Sequence, residues 1–250
     1  MLNKEYSERL QSEKDYHNER AVEESRIDQE KYYVAVSKAR ERFSESISRN
    51  SVGKDVLEIG CFQGGGAEEI LKTAKSYVGI DISDVAIEKA TQLNSEKGLR
   101  NFSFLVRDAC ETGFPDASFD TVVACGIIHH LPIEKSLKEI QRILKPGGKA
   151  ILFEPLGENP LINLYRKHTP DARTPDETPL LKSDIANINK IFPGAKIHFF
   201  GLTTLLSVPL RHRKALYPIF YKLFYMIDKL IFLTPLRWWA WMIVVEGERG

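Results

Sequence analysis

The sequence predicts an α/β fold in which helices cover both faces of a mostly parallel β-sheet. From about residue 54, short apolar runs alternate with helical patterns, as strands joined by crossover helices do. A glycine-rich turn follows the first apolar run, and an acidic residue, Asp81, lies near the end of the second. Because open parallel sheets bind ligands at the carboxyl ends of their strands, these features also predict a ligand site at that edge.

The bulk properties limit the class of protein. The 250 residues suffice for one α/β domain with additions, and a net charge of +1 argues against a nucleic-acid partner. The three cysteines, Cys61, Cys110 and Cys125, lack CxxC spacing, which predicts no metal site and a reducing compartment. The first twenty residues lack the apolar core of a signal peptide, so we expect a cytoplasmic protein.

Residues 1–50 are predicted to be helical, because they are polar and contain neither proline nor glycine. Apolar side chains recur there every three or four positions, which marks one face of a helix: Tyr32, Val36, Ala39, Phe43 and Ile47. We expect this segment to be an N-terminal helical extension or cap that packs on a main domain of residues 51–250.

Short apolar runs predict the strands of the main domain. Five come first, at Asp55–Gly60, Tyr77–Ile82, Phe102–Arg107, Phe119–Cys125 and Lys149–Glu154. Helices are predicted between them at Gly66–Thr73, Asp84–Lys97 and Ile133–Leu144. Residues 155–182 hold five prolines and are expected to be a loop. A helix at Ser183–Ile191 and two further strands, at Lys196–Leu205 and Trp238–Glu246, complete the chain.

The turn after the first strand is the first candidate site, within the stretch from Val56 to Gly66. Glycines let the backbone turn sharply and let a ligand approach closely. The turn alone also fits a plain strand–turn–helix unit or a nicotinamide-dependent oxidoreductase. Oxidoreductases of that kind carry G-x-G-x-x-G, however, and Phe62 breaks this pattern.

Acidic residues end the next two predicted strands. Asp81 lies 21 residues after Gly60, close to the separation of about 20 residues expected for an acid that binds ribose hydroxyls. Asp108 could accept a hydrogen bond from an adenine amino group. Either residue could instead be a helix cap or a turn residue.

Six motifs follow one another in a fixed order: Glu58-Ile59-Gly60, Gly79-Ile80-Asp81, Asp108-Ala109, Phe119-Asp120, His129-His130-Leu131 and Leu144-Lys145-Pro146-Gly147-Gly148. Over about residues 50–155 they resemble the core of class I S-adenosylmethionine-dependent methyltransferases, more narrowly the small-molecule branch of ubiquinone/menaquinone-type and natural-product enzymes. The resemblance implies a Rossmann-like three-layer sandwich with a seven-stranded sheet whose last strand is antiparallel. It also implies S-adenosylmethionine as cofactor and S-adenosylhomocysteine as product.

The resemblance implies a role for each matching position. Asp81 would hold the ribose, and Ile82 would lie beside the adenine. The amino acid end of the cofactor would meet the turn that contains Glu58, Gly60, Cys61, Gln63 and Gly64. The other predicted cofactor contacts are Asp108 and Ala109 at the adenine edge and Cys125, Gly126 and His130 on the open side. Phe62 stands where the usual pattern has a second glycine, so the backbone must make room there differently.

The candidate catalytic residues follow the fourth and fifth strands. The cofactor brings the reactivity, so the protein mainly positions the acceptor and excludes water, but an oxygen or nitrogen acceptor can also need a base. Imidazole suits that task near neutral pH. We expect His129 or His130 to be this base or to position the substrate, with Glu154 orienting the histidine or binding substrate. Alternatively, His130 only packs against the cofactor and His129 is a structural hydrogen bonder.

Other polar side chains are expected to be solvated. His17 is predicted to be an exposed helix residue, although it could close over the site. Arg166, His168 and Arg173 are predicted to be solvated loop residues, although they could bind an anionic group of a substrate.

An apolar and basic insertion occupies about residues 207–237. From Arg211 to Arg237 there are six basic residues and one acidic residue, and charges interrupt the apolar run, which argues against a membrane-spanning helix. The segment could be a lid over an apolar substrate pocket. It could also be a peripheral membrane contact through residues 211–241, or a face that packs on the core or on a second subunit.

These features predict a methyltransferase that acts on an oxygen or nitrogen of a small-molecule metabolite with an apolar portion. The alternatives are a membrane-surface methyltransferase of a lipid or quinone-like substrate, a nicotinamide-dependent oxidoreductase, and a non-catalytic module that binds the cofactor or a membrane surface. The sequence predicts no particular oligomeric state.

Overall fold

The computed structural model describes residues 2–23, 30–168 and 178–250, which form a sheet between layers of helices. The N-terminal segment contains α1 (Leu2–Glu23), α2 (Glu30–Tyr33), a 3-10 helix (Val34–Val36) and α3 (Ser37–Ser51). The alternating part contains β1 (Asp55–Ile59), α4 (Ala67–Leu71), β2 (Ser76–Asp81), α5 (Asp84–Glu96), β3 (Phe102–Val106), β4 (Phe119–Cys125), a 3-10 helix (Ile128–His130), α6 (Ile133–Ile143) and β5 (Leu144–Pro155). The remainder contains α7 (Pro160–His168), α8 (Lys182–Ile191), β6 (Lys196–Phe200), a 3-10 helix (Thr203–Leu210), α9 (Tyr217–Ile231), a 3-10 helix (Pro235–Trp239) and β7 (Met242–Glu248).

The seven strands lie in the order β3-β2-β1-β4-β5-β7-β6. Strands β1 to β5 pair in parallel, whereas β7 runs antiparallel to both β5 and β6. The predicted Rossmann-like sheet, mostly parallel with an antiparallel last strand, is therefore confirmed. The carboxyl ends of β1, β2, β4 and β5 consequently share one edge, and the candidate site residues follow those ends.

Helices cover both faces of the sheet. Neighbouring side chains on a strand point to opposite faces, so Val56 and Leu57 of β1 belong to different core clusters. Leu57 lies in the cluster that includes Ile140 of α6 and Ile188 of α8. Val56 lies in the cluster that includes Ile70 of α4. The result is three layers, with the sheet in the middle.

The two long N-terminal helices take different places. Phe43 of α3 packs against Phe153 of β5, with ring centroids 5.5 Å apart, so α3 covers the sheet. In contrast, α1 runs over the carboxyl edge, where Lys89 of α5 donates to the carbonyl of Ala21 at 2.7 Å. Whether residues 1–50 form a unit separate from residues 51–250 stays a prediction.

Both C-terminal strands are shorter than predicted. β6 ends at Phe200 rather than Leu205, because Gly201 turns the chain with a φ of +81° and a 3-10 helix follows. β7 begins at Met242 rather than Trp238, because residues 235–239 form another 3-10 helix.

The expected loop at residues 155–182 contains a helix, α7, so that prediction is wrong in part. The side chain of Asn159 accepts hydrogen bonds from the backbone N–H groups of Leu161 and Ile162, at 2.9 and 3.1 Å, which caps the helix. Pro160 is favourable at the first helical position, because no helical partner exists for its missing N–H. Residues 169–177 lie outside the described part of the chain.

The insertion is anchored by Asp228 of α9, which is 1% exposed. Its carboxylate accepts five hydrogen bonds from the segment that follows β6, given by the backbone N–H groups of Leu202, Thr203 and Thr204 and by the hydroxyls of both threonines. Within the described ranges, no helix has the length and apolar character needed to cross a membrane.

Candidate active site

A tight turn follows β1. Gly60 has a φ of +71°, and a Cβ at this position would lie 3.0 Å from the side chain of Ile127. The backbone N–H groups of Gly60 and Cys61 donate to the carbonyl of Ile80, at 2.8 and 3.1 Å, so the turn is tied to β2. Glycine is therefore required at residue 60 by both the backbone angle and the available space.

Phe62 adopts a left-handed conformation that is rare for residues other than glycine, with a φ of +46°. Its backbone N–H donates to Asp81 Oδ2 at 2.9 Å, which holds the strained turn in place. The backbone thus accommodates a bulky residue where the family pattern has a second glycine. The Phe62 side chain lines a cavity that lies between the carboxyl edge of the sheet and α1.

The carboxylate of Asp81 lies at the floor of this cavity and is 8% exposed. Oδ1 accepts from the backbone N–H of Ser83 at 2.9 Å, while Oδ2 accepts from Phe62. Each carboxylate oxygen can accept more than one hydrogen bond. The side chain is therefore fixed in place by the backbone and retains capacity for the hydroxyls of a ligand.

Glu58 lies beneath the glycine turn rather than in the cavity lining. Its Oε2 accepts from the Tyr77 hydroxyl at 2.6 Å. Burial raises the pKa of Glu58 to about 7, although the hydrogen bond from Tyr77 opposes the rise and the Asp81 carboxylate adds to it. The predicted contact of Glu58 with the cofactor stays a prediction.

The other predicted turn residues contact the core or α1 rather than the cavity. Cys61 is 5% exposed and belongs to the core cluster of β1, and burial raises the pKa of its thiol. A Cβ on Gly64 would lie 2.5 Å from Phe104, so this glycine is needed for packing. Gln63 Nε2 donates to the carbonyl of Ala21, which joins the turn to α1.

At the end of β3, Asp108 is bound by the N-terminal helix. The Tyr6 hydroxyl lies 2.9 and 2.8 Å from its two carboxylate oxygens, and Oδ1 also accepts from the backbone N–H of Cys110 at 2.7 Å. Burial raises the pKa of the Tyr6 hydroxyl, which therefore remains a donor. Ala109 and Ile82, which are predicted to lie beside the adenine of the cofactor, line the cavity.

The loop after β4 is organised by Glu154, which is fully buried at the end of β5. Glu154 Oε1 accepts from the backbone N–H groups of Ile127 and Ile128, at 3.1 and 2.9 Å. Its Oε2 lies 2.6 Å from Nδ1 of His129, which is 7% exposed. Glu154 and His129 thus lie behind the cavity wall and shape the loop.

His130 lines the cavity, together with the predicted residues Cys125 and Gly126. Its ring lies 4.2 Å from the His129 ring, centroid to centroid. The two histidines of the motif therefore take different places, since one faces the cavity and the other pairs with a buried carboxylate.

Helix α1 forms one wall of the cavity. Arg9 donates to the carbonyl of His130 at 2.7 Å, and the carboxylate of Glu13 lies 3.6 Å from both His130 Nδ1 and His17 Nε2. The side chain of His17 is only 19% exposed, so the prediction of an exposed His17 is wrong. The reason is that α1 packs along the carboxyl edge of the sheet instead of projecting into solvent.

Sequence reasoning missed most of the α1 contribution. The cavity-lining residues of this helix recur every three or four positions, and that spacing was the available signal: Tyr6, Arg9, Leu10, Glu13, His17 and Arg20. Because these side chains are mostly polar, the face resembles a solvated surface until the sheet edge is placed beneath it.

The other candidates lie apart from the cavity. Arg166 and His168 belong to α7, and His168 Nδ1 lies 2.8 Å from the carbonyl of Leu164. Arg173 lies outside the described residues. Across the part of the chain that the structure covers, no cluster of His, Cys, Asp and Glu side chains could hold a metal ion.

The chain is similar to known methyltransferases. Residues 57–152 match the family described as methyltransferase domain. A sterol 24-C-methyltransferase of Aspergillus fumigatus is 32% identical over 221 residues, which cover 84% of this chain and 57% of that protein. A fatty-acid O-methyltransferase of Mycolicibacterium smegmatis is 36% identical over 99 residues, which cover 38% of this chain and 35% of that protein. The chain thus spans little more than half the length of the sterol relative.

Solved structures share the fold. A phosphoethanolamine N-methyltransferase of Haemonchus contortus in complex with S-adenosyl-L-methionine has a TM-score of 0.62 at 18% identity. The match covers 94% of this chain and 60% of that one. This similarity shows the shared fold, whereas the matches to the methyltransferase domain and to the sterol methyltransferase confirm the resemblance that the six motifs predicted.

Proposed function

The chain carries a domain of the class I S-adenosylmethionine-dependent methyltransferase family, and on that premise we propose that it methylates an oxygen or nitrogen of a small metabolite with an apolar portion. The observation that carries the proposal is the cavity at the carboxyl edge of the sheet. Gly60, Asp81 and Gly126 line its floor, while His130 and Glu13 face it from the loop after β4 and from α1.

The residues present fit the cofactor. Gly60 and Gly126 have left-handed backbones without a Cβ, which leaves room against the strand ends. Asp81 would hold the ribose hydroxyls through its remaining acceptor capacity, and the apolar side chains of Ile82 and Ala109 would contact the adenine ring. Asp108 would accept from the adenine amino group. When bound, S-adenosylmethionine supplies a methyl group on a cationic sulfur that an acceptor can displace.

His130 would take the proton that the acceptor oxygen or nitrogen loses. Glu13, 3.6 Å from His130 Nδ1, would stabilise the imidazolium that results. His129 and Glu154 would act as positioning residues, because their pairing holds the loop that presents His130. Helix α1 would exclude water from the reacting atoms, since it forms one wall of the cavity.

Cofactor binding tests the first part of the proposal. Isothermal titration calorimetry should show that the wild-type chain binds S-adenosylhomocysteine, and Asp81→Asn should weaken binding about 100-fold, because it removes a charged acceptor for two hydroxyls. Asp116→Asn is the matched control, since the Asp116 side chain is 73% exposed in the turn before β4. Undiminished binding by Asp81→Asn, or preferential binding of a nicotinamide dinucleotide, would contradict the proposal.

Turnover tests the second part. His130→Gln should lower kcat about 100-fold, with a much smaller change in cofactor affinity, because general base catalysis contributes on that scale. His129→Gln should lower stability and kcat together, as a positioning residue does. Near-normal kcat in both variants would rule out a base at this motif, and cofactor binding without any turnover across acceptors would favour a non-catalytic module.

Carbon is a second candidate acceptor atom, and the name of the sterol relative favours it. The relatives include a sterol 24-C-methyltransferase and a fatty-acid O-methyltransferase, so both name an apolar acceptor but differ in the atom. Mass spectrometry after incubation with sterols and with fatty acids would separate the two. A methyl ester hydrolyses in base, whereas a methyl group on carbon does not.

The cellular setting is also a proposal. A cytoplasmic location is supported by the cysteine pattern of the sequence, which has three cysteines and no CxxC spacing. Peripheral membrane contact through residues 211–241 is supported by the basic excess of that segment. Fractionation of cells that express the chain would test both proposals. Secretion of the chain would contradict the cytoplasmic location, and recovery only in the soluble fraction would contradict the membrane contact.

A further inference from the structure

Helix α9 exposes an apolar face. The exposed apolar residues of α9 and of its N-cap are spaced by one or three positions, so they lie on one side of the helix. We call this set the α9 face: Leu216, Ile219, Phe220, Leu223, Met226, Ile227 and Leu230. The opposite side packs inward, with Tyr221 and Asp228 buried. The outward side is therefore the more apolar of the two, which is the reverse of an ordinary surface helix.

The exposed apolar surface continues past the end of α9. Leu233 is 82% exposed, and Leu236 and Trp239 of the following 3-10 helix are also exposed. Asn159 Nδ2 donates to the carbonyl of Trp239 at 2.6 Å, so the start of α7 lies beside this 3-10 helix. Leu161 and Leu164 of α7 are exposed as well. Soluble chains rarely expose so many large apolar side chains in neighbouring elements.

The exposed charges within residues 211–237 have one sign, although Glu41 and Glu45 of α3 lie near Lys229. Lys222 and Lys229 are exposed and seven residues apart, which places them on the same side of α9, at the border of the α9 face. Arg213, Lys214 and Arg237 are also exposed. The single acidic residue between Arg211 and Arg237 is Asp228, which is buried and fully occupied by internal donors. The segment therefore presents apolar and positive groups without an exposed negative one.

This combination fits an anionic lipid surface better than a second copy of the chain. In a two-fold dimer the same patch meets itself, so Lys222 and Lys229 would face a like-charged surface. A bilayer offers negative headgroups for the lysines and acyl chains for the leucines, and lysine stems can extend to the headgroup level. The 15 residues of α9 span about 22 Å, less than the roughly 30 Å of a bilayer core, so the helix would lie in the plane of the interface.

Helix α9 is attached to the N-terminal segment and to the edge of the sheet that carries the cavity. Tyr217 donates to the carbonyl of Val34 at 2.7 Å, and Tyr221 accepts from the backbone N–H of Lys38, so α9 is held against the N-terminal segment. Asp228 holds residues 202–204 at the carboxyl end of β6. Because β6 and β5 both run antiparallel to β7, this end lies on the same edge of the sheet as the cavity.

We propose that the α9 face docks on an anionic lipid bilayer and that the acceptor is a lipid-soluble molecule drawn from that bilayer. The docking stands independently of the chemistry, whereas the acceptor class rests on the proposed methyl transfer. Docking on the membrane brings the carboxyl edge of the sheet close to the interface, so an apolar acceptor reaches the cavity without crossing water.

Vesicle co-sedimentation of the full chain tests the docking. The chain should sediment with vesicles of phosphatidylcholine and phosphatidylglycerol but not with phosphatidylcholine alone, and added salt should weaken binding. The pair Lys222→Glu and Lys229→Glu should reduce binding about tenfold or more, as should the pair Phe220→Ser and Leu223→Ser. Matched controls are Lys190→Glu on α8 and Leu93→Ser on α5, both at exposed positions, which should bind as the wild type does.

Three outcomes would overturn the docking: no binding to phosphatidylglycerol vesicles, equal losses in the controls, or a dimer in analytical ultracentrifugation that the Phe220→Ser and Leu223→Ser pair abolishes. The last outcome would assign the face to a second copy of the chain. Vesicle binding requires neither cofactor nor turnover, so failure of the proposed methyl transfer would leave it intact. If the chain methylates a dispersed acceptor but does not bind vesicles, the docking is rejected and the proposed methyl transfer still stands.

Discussion

Helices α1 and α9 each bury a carboxylate, but in opposite surroundings. Asp228 of α9 accepts five hydrogen bonds from neutral backbone and hydroxyl donors. Glu13 of α1 faces two imidazoles across 3.6 Å, and both of them line the cavity. Donors that cannot titrate fix a helix in place, whereas titratable neighbours at longer range allow protons to move. The comparison indicates that α9 is held as structure, whereas α1 would contribute to chemistry under the proposed mechanism.

The largest expected effect tests the structural half of this contrast. Asp228→Ala should lower the free energy of unfolding by about 4 kcal/mol, because it leaves several buried donors without their charged acceptor. Urea denaturation followed by circular dichroism would measure it. Lys222→Ala, at an exposed position on the same helix, should change stability by less than about 0.5 kcal/mol. A loss below 1 kcal/mol for Asp228→Ala would contradict the anchoring role.

Glu58, a third carboxylate, lies between these extremes, since it has one hydroxyl donor and a raised pKa. Unfolded, its carboxyl has a pKa near 4.5, and in the fold the value is about 7. The folded protein therefore holds the proton more tightly, and the stability from this group is full below pH 4.5 and falls as pH rises through 7. In the wild type, the free energy of unfolding should therefore fall by about 3 kcal/mol between pH 4.5 and pH 7, and Glu58→Gln should remove this fall.

The measurement is the urea midpoint of wild type and Glu58→Gln at several pH values from 4.5 to 8. Glu96→Gln on α5 is a suitable control, because that side chain is exposed. An unchanged pH dependence in Glu58→Gln would show that the carboxyl does not titrate in this range in the folded protein.

Matched hydroxyl deletions sharpen the comparison. Tyr6→Phe removes the donor that α1 gives to Asp108, so it should tighten cofactor binding about tenfold by freeing an acceptor for the adenine amino group. Titration calorimetry would measure the change, with Tyr16→Phe on the same helix as control. Weaker binding in Tyr6→Phe would mean that the hydroxyl supports the bound cofactor instead of competing with it.

The smallest effect belongs to α9. Tyr217→Phe removes a hydrogen bond to the carbonyl of Val34 and should lower stability by about 1 kcal/mol without changing cofactor affinity. Differential scanning calorimetry and the same titration would test the two halves of this prediction. If Tyr217→Phe changes cofactor affinity as much as Tyr6→Phe does, the proposed difference in function between α1 and α9 is contradicted.

The sheet was predictable because its signals are local and repeated. Each strand is a short apolar run that ends in a turn residue, and the order of six motifs placed Gly60, Asp81 and His130 at one edge. The helix α7 also had a local signal, Asn159-Pro160 before an apolar stretch, but surrounding prolines masked it. Strand ends were less predictable, since Gly201 shortened β6 by a turn in the backbone.

The contribution of α1 was not predictable in the same way. A polar face at helical spacing is ordinarily solvated, and only its placement over the sheet edge brings Glu13 and His17 to His130. Likewise, adjacent histidines in one motif gave no sign that His129 would turn to Glu154 while His130 faced the cavity. These roles depend on contacts between residues that are distant in sequence: Glu13 and His17 lie more than a hundred positions from His130, and Glu154 lies 25 positions from His129.

The way α1 is attached has a consequence for the timing of access to the cavity. Its contacts with the sheet edge include polar bonds to Asp108, to the carbonyl of His130 and from Lys89, and among the side chains of α1 that the structure describes Ala21 is the buried apolar one. Segments held in this manner open at a lower free energy than the central strands. In hydrogen exchange the amides of α1 should exchange well before those of β1 and β4. The opening free energy of this one helix, rather than the global stability, then sets how often the cavity meets solvent.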